Sequence, residues 1–225
     1  MNYFNTPIGF VFLAIFTFLI NVIFFVFTQF WEIGRASLDG FFATFRLAYI
    51  IFIPAVTMRL WAEEKRSGTI ELLFTLPIKH AEAILGKYLS ALGFLGVALA
   101  STFFIPLTVA VIGEPDWFLI IGGYIGAFCM GAAYISLGLM LSWLTKDQIV
   151  AFLLSVLSIF LLFLLGFDPV LEALGSLKTF AAFFSVSWHY ESLARGLLDT
   201  RDIIYFISFS VLFLYLNYRS IENNR

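Results

Sequence analysis

Residues 117–144 read WFLIIGGYIGAFCMGAAYISLGLMLSWL and contain no charged side chain. The run exceeds the about 20 residues that a helix needs to cross a hydrocarbon layer of ~30 Å. Because its apolar residues do not alternate strictly, and because a helix pairs its own backbone groups in lipid, it predicts a transmembrane α-helix. The small residues Gly122 and Gly126, and Ala127 and Gly131, offer faces for close helix packing within the subunit or in a dimer.

Five further apolar runs surround this one. Together they predict an all-α polytopic membrane protein with six transmembrane helices. The predicted spans are 8–30, 42–58, 83–112, 117–144, 149–167 and 203–218. No internal repeat or linker divides the sequence, so residues 1–225 are predicted to form a single transmembrane domain.

The composition excludes several classes of protein. Hydrophobic residues make up 61% of the 225 residues and charged residues 12%, against about 25% charged residues in soluble domains. A net charge of −2 gives no reason to expect a nucleic-acid partner. The one cysteine, Cys129, cannot form an intrachain disulfide, and we expect it to be a small buried apolar residue.

The basic residues predict which side of the membrane each loop faces, because cytoplasmic loops carry an excess of Lys and Arg. Eight of the 13 basic residues lie on the side that holds both termini, and five lie on the other side. The eight are Arg59, Lys65, Arg66, Lys79, Lys87, Lys146, Arg219 and Arg225, and the five are Arg35, Arg46, Lys178, Arg195 and Arg201. Both termini are therefore predicted to be cytoplasmic.

The longest inner segment, residues 58–80, reads MRLWAEEKRSGTIELLFTLPIKH. Residues 59–66 predict a charged continuation of the second span that ends at Gly68. A second short helix is predicted to begin at or just after Gly68, with Glu71 in its first turn, where the helix dipole favours an acid, and to end before Pro77. On physical grounds this segment is read equally well as an interfacial loop with stop-transfer charges or as a helix that lies along the membrane and presents a docking patch.

The same segment resembles a known family. Its pattern, Met58-Arg-x-x-Ala-Glu-Glu-x-Arg-x-Gly-Thr-x-Glu-Leu-Leu-x-x-x-Pro77, is similar to the signature of ABC-2-type transporter permeases. It is most similar to the branch that contains the gliding-motility-associated permease and the permease of nitrous-oxide-reductase maturation. Residues 3–10 resemble the start of that branch, and residues 85–89 resemble the beginning of its third helix.

The resemblance implies a permease subunit of an ATP-binding cassette transporter in the bacterial cytoplasmic (inner) membrane, working as an exporter. Two such subunits, as a homodimer or paired with a related permease, would form the pathway above two copies of a cytoplasmic ATPase. An accessory membrane or periplasmic protein is implied as a further partner. ATP and Mg would be bound by the ATPase, so this chain would hold no cofactor and would not be an enzyme.

The resemblance also assigns the inner segment as the coupling helix that docks on the ATPase. The residues that match the motif are Glu63, Glu64, Lys65, Arg66, Gly68, Thr69, Glu71, Leu72 and Leu73. We expect the charges to set the docking register and Leu72 and Leu73 to anchor the apolar contact, while Gly68 supplies a sharp bend.

The longest outer segment, residues 168–202, alternates apolar patches with isolated charges and predicts one or two short helices at the outer leaflet. The resemblance implies that this region shapes an outer gate, with Trp188, Glu191 and Arg195 as candidates. The four-residue spacing of Glu191 and Arg195 suits an ion pair, and Trp188 suits the headgroup level. The neighbouring His189 lacks the further ligands that a metal site needs.

Arg46, near the outer end of the second span, is expected to extend its charged group to the outer interface.

The chain carries no recognisable catalytic or nucleotide-binding motif. Gly86-Lys87 lacks both the upstream glycine and the following hydroxyl of a phosphate-binding loop, so any energy must come from a partner. Two alternatives remain beside the permease. A non-transporting scaffold would use the inner segment to dock a cytoplasmic partner without moving cargo, whereas a stand-alone secondary transporter lacks the buried acids and internal repeat that it would need.

Overall fold

The computed structural model describes residues 7–27, 38–75, 77–113, 116–173, 175, 178–197 and 199–223, and all regular structure in them is helical. The helices are α1 Pro7–Phe27, α2 Asp39–Thr57, α3 Arg59–Ser67, α4 Thr69–Thr75, α5 His80–Ser101, α6 Phe104–Ile112, α7 Trp117–Leu144, α8 Gln148–Leu164, α9 Asp168–Ala173, α10 Lys178–Phe184, α11 Val186–Ala194 and α12 Thr200–Asn223. The all-α prediction is therefore confirmed. Residues 3–6 of the opening motif, the predicted end of the first span at Phe30, Arg35 and Arg225 lie outside the described residues.

Five stretches of the described chain are long and apolar enough to cross a membrane. They are Gly9–Val26, Gly40–Ser67, His80–Val111, Trp117–Leu144 and Thr200–Asn223. The apolar helix α8 has 17 residues and is shorter than the about 20 residues of a usual transmembrane helix. The chain is thus a multi-pass membrane protein, and the sixth crossing stays a prediction.

Helix α7 contacts α2, α3, α5, α8, α11 and α12. Its start is fixed by Asp116, whose carboxylate accepts the Phe118 N–H at 2.9 Å. At its small residues, atoms of the neighbouring segments lie directly against the α7 backbone. A Cβ on Gly122 would lie 2.7 Å from the Cα of Gly196, and one on Gly138 would lie 2.3 Å from the Oγ1 of Thr57. These close contacts are made within the subunit.

The predicted third span is divided into α5 and α6, and Pro106 explains the break. Proline has no N–H, so the carbonyl of Thr102 cannot receive the bond that a continuous helix would supply. The N–H of Ile105 donates to that carbonyl instead, at 3.1 Å. The predicted span over residues 83–112 is thus present as the apolar stretch His80–Val111, with a local break in its helix.

The inner face of α1 is aromatic and packs on α2. Phe16, Ile20 and Phe24 recur at every fourth residue and are fully buried. The Phe24 ring meets that of Phe41 edge to face, with 5.5 Å between the ring centroids, and the Phe16 and Phe52 centroids are 4.2 Å apart. This stack attaches α1 to the bundle around α7.

We predict that Gly138→Ala destabilises the fold by about 1–3 kcal/mol, because the new methyl group overlaps the buried Thr57 side chain. Gly93→Ala, in the interior of α5 with no atom within 4 Å of the added carbon, is the control and should be neutral or slightly stabilising. The measurement is the free energy of unfolding in bicelles. Equal values for the two variants would contradict the close packing of α2 on α7.

Candidate functional site

The predicted break at Gly68 is present and separates two short helices. Gly68 ends α3 with φ +73°, a left-handed conformation that favours glycine, and α4 begins at the next residue. The hydroxyl oxygens of Ser67 and Thr69 lie 2.9 Å apart across the bend. We call α3 and α4 together, residues 59–75, the basal segment, and the end of the bundle that it occupies the basal end.

One side of the basal segment is free and the other packs on the bundle. Glu63, Arg66 and Glu71 are exposed, and Leu72 exposes 69% of its surface. Leu73 is half-buried and packs against the hydrophobic core. The two leucines that were expected to form one apolar anchor therefore face different surroundings, and Leu72 alone is free for a partner.

Lys87 joins α5 to the basal segment. Its ammonium group donates to the carboxylate of Glu64 and, at 2.6 Å, to the carbonyl of Leu60, and it lies 4.4 Å from the ring centroid of Trp61. The Lys87 side chain is only 11% exposed. Such an amine is held by an ion pair, a charge-assisted hydrogen bond and a cation–π contact at once. Glu64, predicted to meet a partner, is instead turned towards α5.

Lys65 joins the basal segment to α7. Its ammonium group donates to the carbonyl of Trp143, in the last turn of α7, and lies 3.6 Å from the centroid of the Trp143 ring. A cation is favoured at the carboxyl end of a helix because the unpaired carbonyls there are partly negative. The rings of Trp61 and Trp143 meet edge to face at 5.3 Å. The segment is therefore attached to two long helices at once.

The pairing of Lys87 with Glu64 yields a stability prediction. Lys87→Met should lower the free energy of unfolding by about 1–3 kcal/mol, because it leaves the Glu64 carboxylate and the Leu60 carbonyl without their donor. Lys79→Met, at an exposed position just before α5, is the control and should change little. A double-mutant cycle with Glu64→Gln, measured by unfolding in bicelles, should give a coupling of at least about 0.5 kcal/mol. Additive effects would contradict the pair.

At the opposite end of the bundle, α11 is fixed to α2. Arg195 donates to the carboxylate of Glu191, as predicted from their spacing. Arg46 forms an ion pair with the same carboxylate, with 3.7 Å between its Nη1 and Oε2 of Glu191. The hydroxyl of Tyr190 donates to the carbonyl of Phe42 at 2.7 Å. Arg46, which was expected to extend to the outer interface, therefore has an acidic partner, because α11 folds against α2 and brings Glu191 to it.

Next to these residues, His189 forms a buried pair with Asp202. Its Nδ1 lies 2.7 Å from the Asp202 carboxylate and its Nε2 lies 3.1 Å from the carbonyl of Phe183, while its ring stacks on Tyr205. Sequence reasoning missed Asp202 because it placed the start of the last span at residue 203, whereas α12 begins at Thr200. The signal available was an acid in the first turn of an apolar helix.

The His189 pair holds a proton between two buried groups. A carbonyl oxygen only accepts, so Nε2 must donate to Phe183. Nδ1 and the Asp202 carboxylate then need one further proton between them, on the imidazole or on the carboxyl group. Among the described residues, no group of three or more His, Cys, Asp and Glu side chains could hold a metal ion.

The residues predicted for the outer gate meet in one place. An open cavity of about 1550 Å³ lies between α8, α10, α11 and α12. Trp188, Glu191 and Arg195 line it, together with His189 and Asp202. Its other walls are largely apolar, with residues such as Leu162, Phe209 and Phe213. The three predicted residues thus share a surface with the buried pair that the sequence did not reveal.

Substitutions at Asp202 test the buried pair. Asp202→Asn keeps a polar group opposite Nδ1, whereas Asp202→Leu leaves that nitrogen unpaired and should cost about 1–3 kcal/mol more. Both variants remove the carboxyl group from the first turn of α12, so their difference isolates the hydrogen bond. The difference, measured as the free energy of unfolding in bicelles, should disappear in a His189→Phe background. Persistence of the difference there would show that Asp202 acts through other groups.

Comparison with known protein families places most of the chain in one of them. Residues 21–221 match the profile of a family described as ABC-2 family transporter protein. The matched region covers most of the chain and includes the basal segment, α7 and α11. No curated protein matches the chain.

Proposed function

Because the chain belongs to the ABC-2 family of transporter proteins, we propose that it is the permease subunit of an exporter driven by separate ATPase subunits. Members of this family are the membrane components of ABC transporters, which implies pairing with an ABC ATPase. The proposal extends to two permease copies, or one copy with a related permease, and to two ATPase copies that bind ATP and Mg. It places the chain in the bacterial cytoplasmic membrane with the basal end and both termini inside.

The basal segment is the observation that carries this proposal. It stands between two predicted spans and presents Leu72, with Glu71 beside it, on a short helix. Its opposite face is attached to α5 through Lys87 and to α7 through Lys65. A partner that binds Leu72 would therefore act on two long helices through contacts that already exist.

The geometry indicates how a movement at the ATPase would reach the other end of the bundle. Helix α7 runs from Trp143, beside the basal segment, to Gly122 and Gly126, which contact the turn after α11 and Leu193 in α11. Closure of two ATPase subunits would displace α4, and α7 would carry that displacement to α11. Trp188, Glu191 and Arg195 on or next to α11 would then open or close the cavity that they line.

Replacement of Leu72 tests the docking role. Leu72→Asp should reduce ATPase binding by tenfold or more, because a charge replaces an apolar anchor and a loss of about 1.4 kcal/mol is a factor of ten. Leu197→Asp is the control, since Leu197 exposes 63% of its surface at the opposite end of the bundle. The measurement is the stoichiometry of ATPase that co-purifies from native membranes, with ATP hydrolysis assayed in the eluate.

Two outcomes would count against the permease. If the unaltered chain is recovered without any ATPase at low salt, the scaffold interpretation replaces it. If Leu72→Asp retains the ATPase as well as Leu197→Asp does, docking occurs elsewhere on the chain.

A further inference from the structure

The hydroxyl group of Ser142 lies at the junction between α2 and the basal segment. The Oγ of Ser142, in the last turn of α7, accepts the N–H of Trp61 at 3.1 Å and the N–H of Ala62 at 3.2 Å. It donates to the carbonyl of Met58 at 3.0 Å. Ser142 is fully buried, and these three bonds use the full capacity of its hydroxyl group.

These bonds replace part of the helix ladder. Helix α2 ends at Thr57 and α3 begins at Arg59, so the regular bonding is interrupted between them. In a continuous helix the N–H of Trp61 would donate to the carbonyl of Thr57; here it donates to Ser142 instead. Insertion of a side chain into the ladder is a recognised cause of a bend in a helix.

The surrounding contacts attach both α3 and the end of α2 to α7. Ser142 and the next residue, Trp143, both bond to α3, the latter by accepting from Lys65. On the α2 side, the hydroxyl of Thr57 donates to the carbonyls of Ile53 and Pro54 in its own helix, and the side chain lies against Gly138. Both helices are held on α7, so the chain between Thr57 and Trp61 is the place where the angle between them is set.

We propose that Ser142 is a positioning residue that sets the angle between the second span and the basal segment, with residues 58–61 as the pivot. Without the hydroxyl group, the buried N–H of Trp61 regains a partner most directly by bonding to Thr57, which makes α2 and α3 one straighter helix. The consequence for coupling rests on the proposed function, because the basal segment would then meet the ATPase at a different angle. The bend itself does not depend on that function.

The first experiment measures the bend in the chain alone. Spin labels are placed on exposed positions of α2 and α3, at Leu47→Cys and Arg66→Cys, in a Cys129→Ala background, and the distance is measured by pulsed EPR in nanodiscs. Ser142→Ala should shift the distribution to longer distances and widen it. Ser136→Ala is the matched control, because Ser136 is equally buried on α7 but bonds only to its own helix, at Ala133.

A pair of isosteric variants separates the hydroxyl from side-chain volume. Ser142→Thr retains the hydroxyl and should keep the short distance, whereas Ser142→Val has the same shape without it and should give the long distance. If Ser142→Ala does not fold, this comparison still decides whether the hydroxyl group sets the bend. Equal distributions for the Thr and Val variants, or for Ser142→Ala and the unaltered chain, would overturn the proposal.

The second experiment measures coupling in the complex with the ATPase. Ser142→Ala leaves the Leu72 surface unchanged, so ATPase binding should persist while the effect of the permease on the rate of ATP hydrolysis is lost or reduced several-fold. Ser142→Thr should restore the rate. If Ser142→Ala leaves the rate of ATP hydrolysis unchanged while Leu72→Asp abolishes ATPase binding, the positioning role of Ser142 is overturned and the docking role of Leu72 stands. If the unaltered chain binds no ATPase, the proposed function fails, and the EPR distances still decide whether Ser142 sets the bend.

Discussion

The need to pair every backbone group away from water governs this structure, because an unpaired N–H or carbonyl in lipid costs several kcal/mol. Each interruption of a long helix is therefore compensated locally. At Pro106 the chain tightens so that Ile105 donates to the carbonyl of Thr102. Between α2 and α3 the hydroxyl group of Ser142 supplies the partner. At these two places the substitute partner allows the chain to depart from a straight helix.

Charges follow the same constraint. Lys87 and Glu64 pair with each other at the basal end, and Arg46 and Glu191 pair at the opposite end. In both cases one partner belongs to a long helix and the other to a short one. Each pair therefore does more than satisfy two charges, because it fixes a short terminal helix on the bundle.

The sequence predicts well those features that local chemistry decides. Gly68 ends α3, and Glu191 pairs with Arg195, because each depends on residues within one or two turns. The pairs of Lys87 with Glu64 and of His189 with Asp202 join separate helices, and nothing in the spacing of these residues signals them. The spans were predictable from apolar length, but the break at Thr102 depended on a proline that a hydropathy average does not register.

The contribution of α7 to the candidate function follows from its composition. Glycine and serine occur along its length at positions where its neighbours come close, among them Gly122, Gly126, Gly138 and Ser142. Such close contacts leave little room for sliding, so a displacement at one end would be transmitted and not absorbed by side-chain motion. The first two of these residues meet the α11 region, and the last two meet Thr57 and the pivot. The same close packing that stabilises the bundle thus provides the physical connection between the proposed ATPase-facing segment and the cavity at the other end.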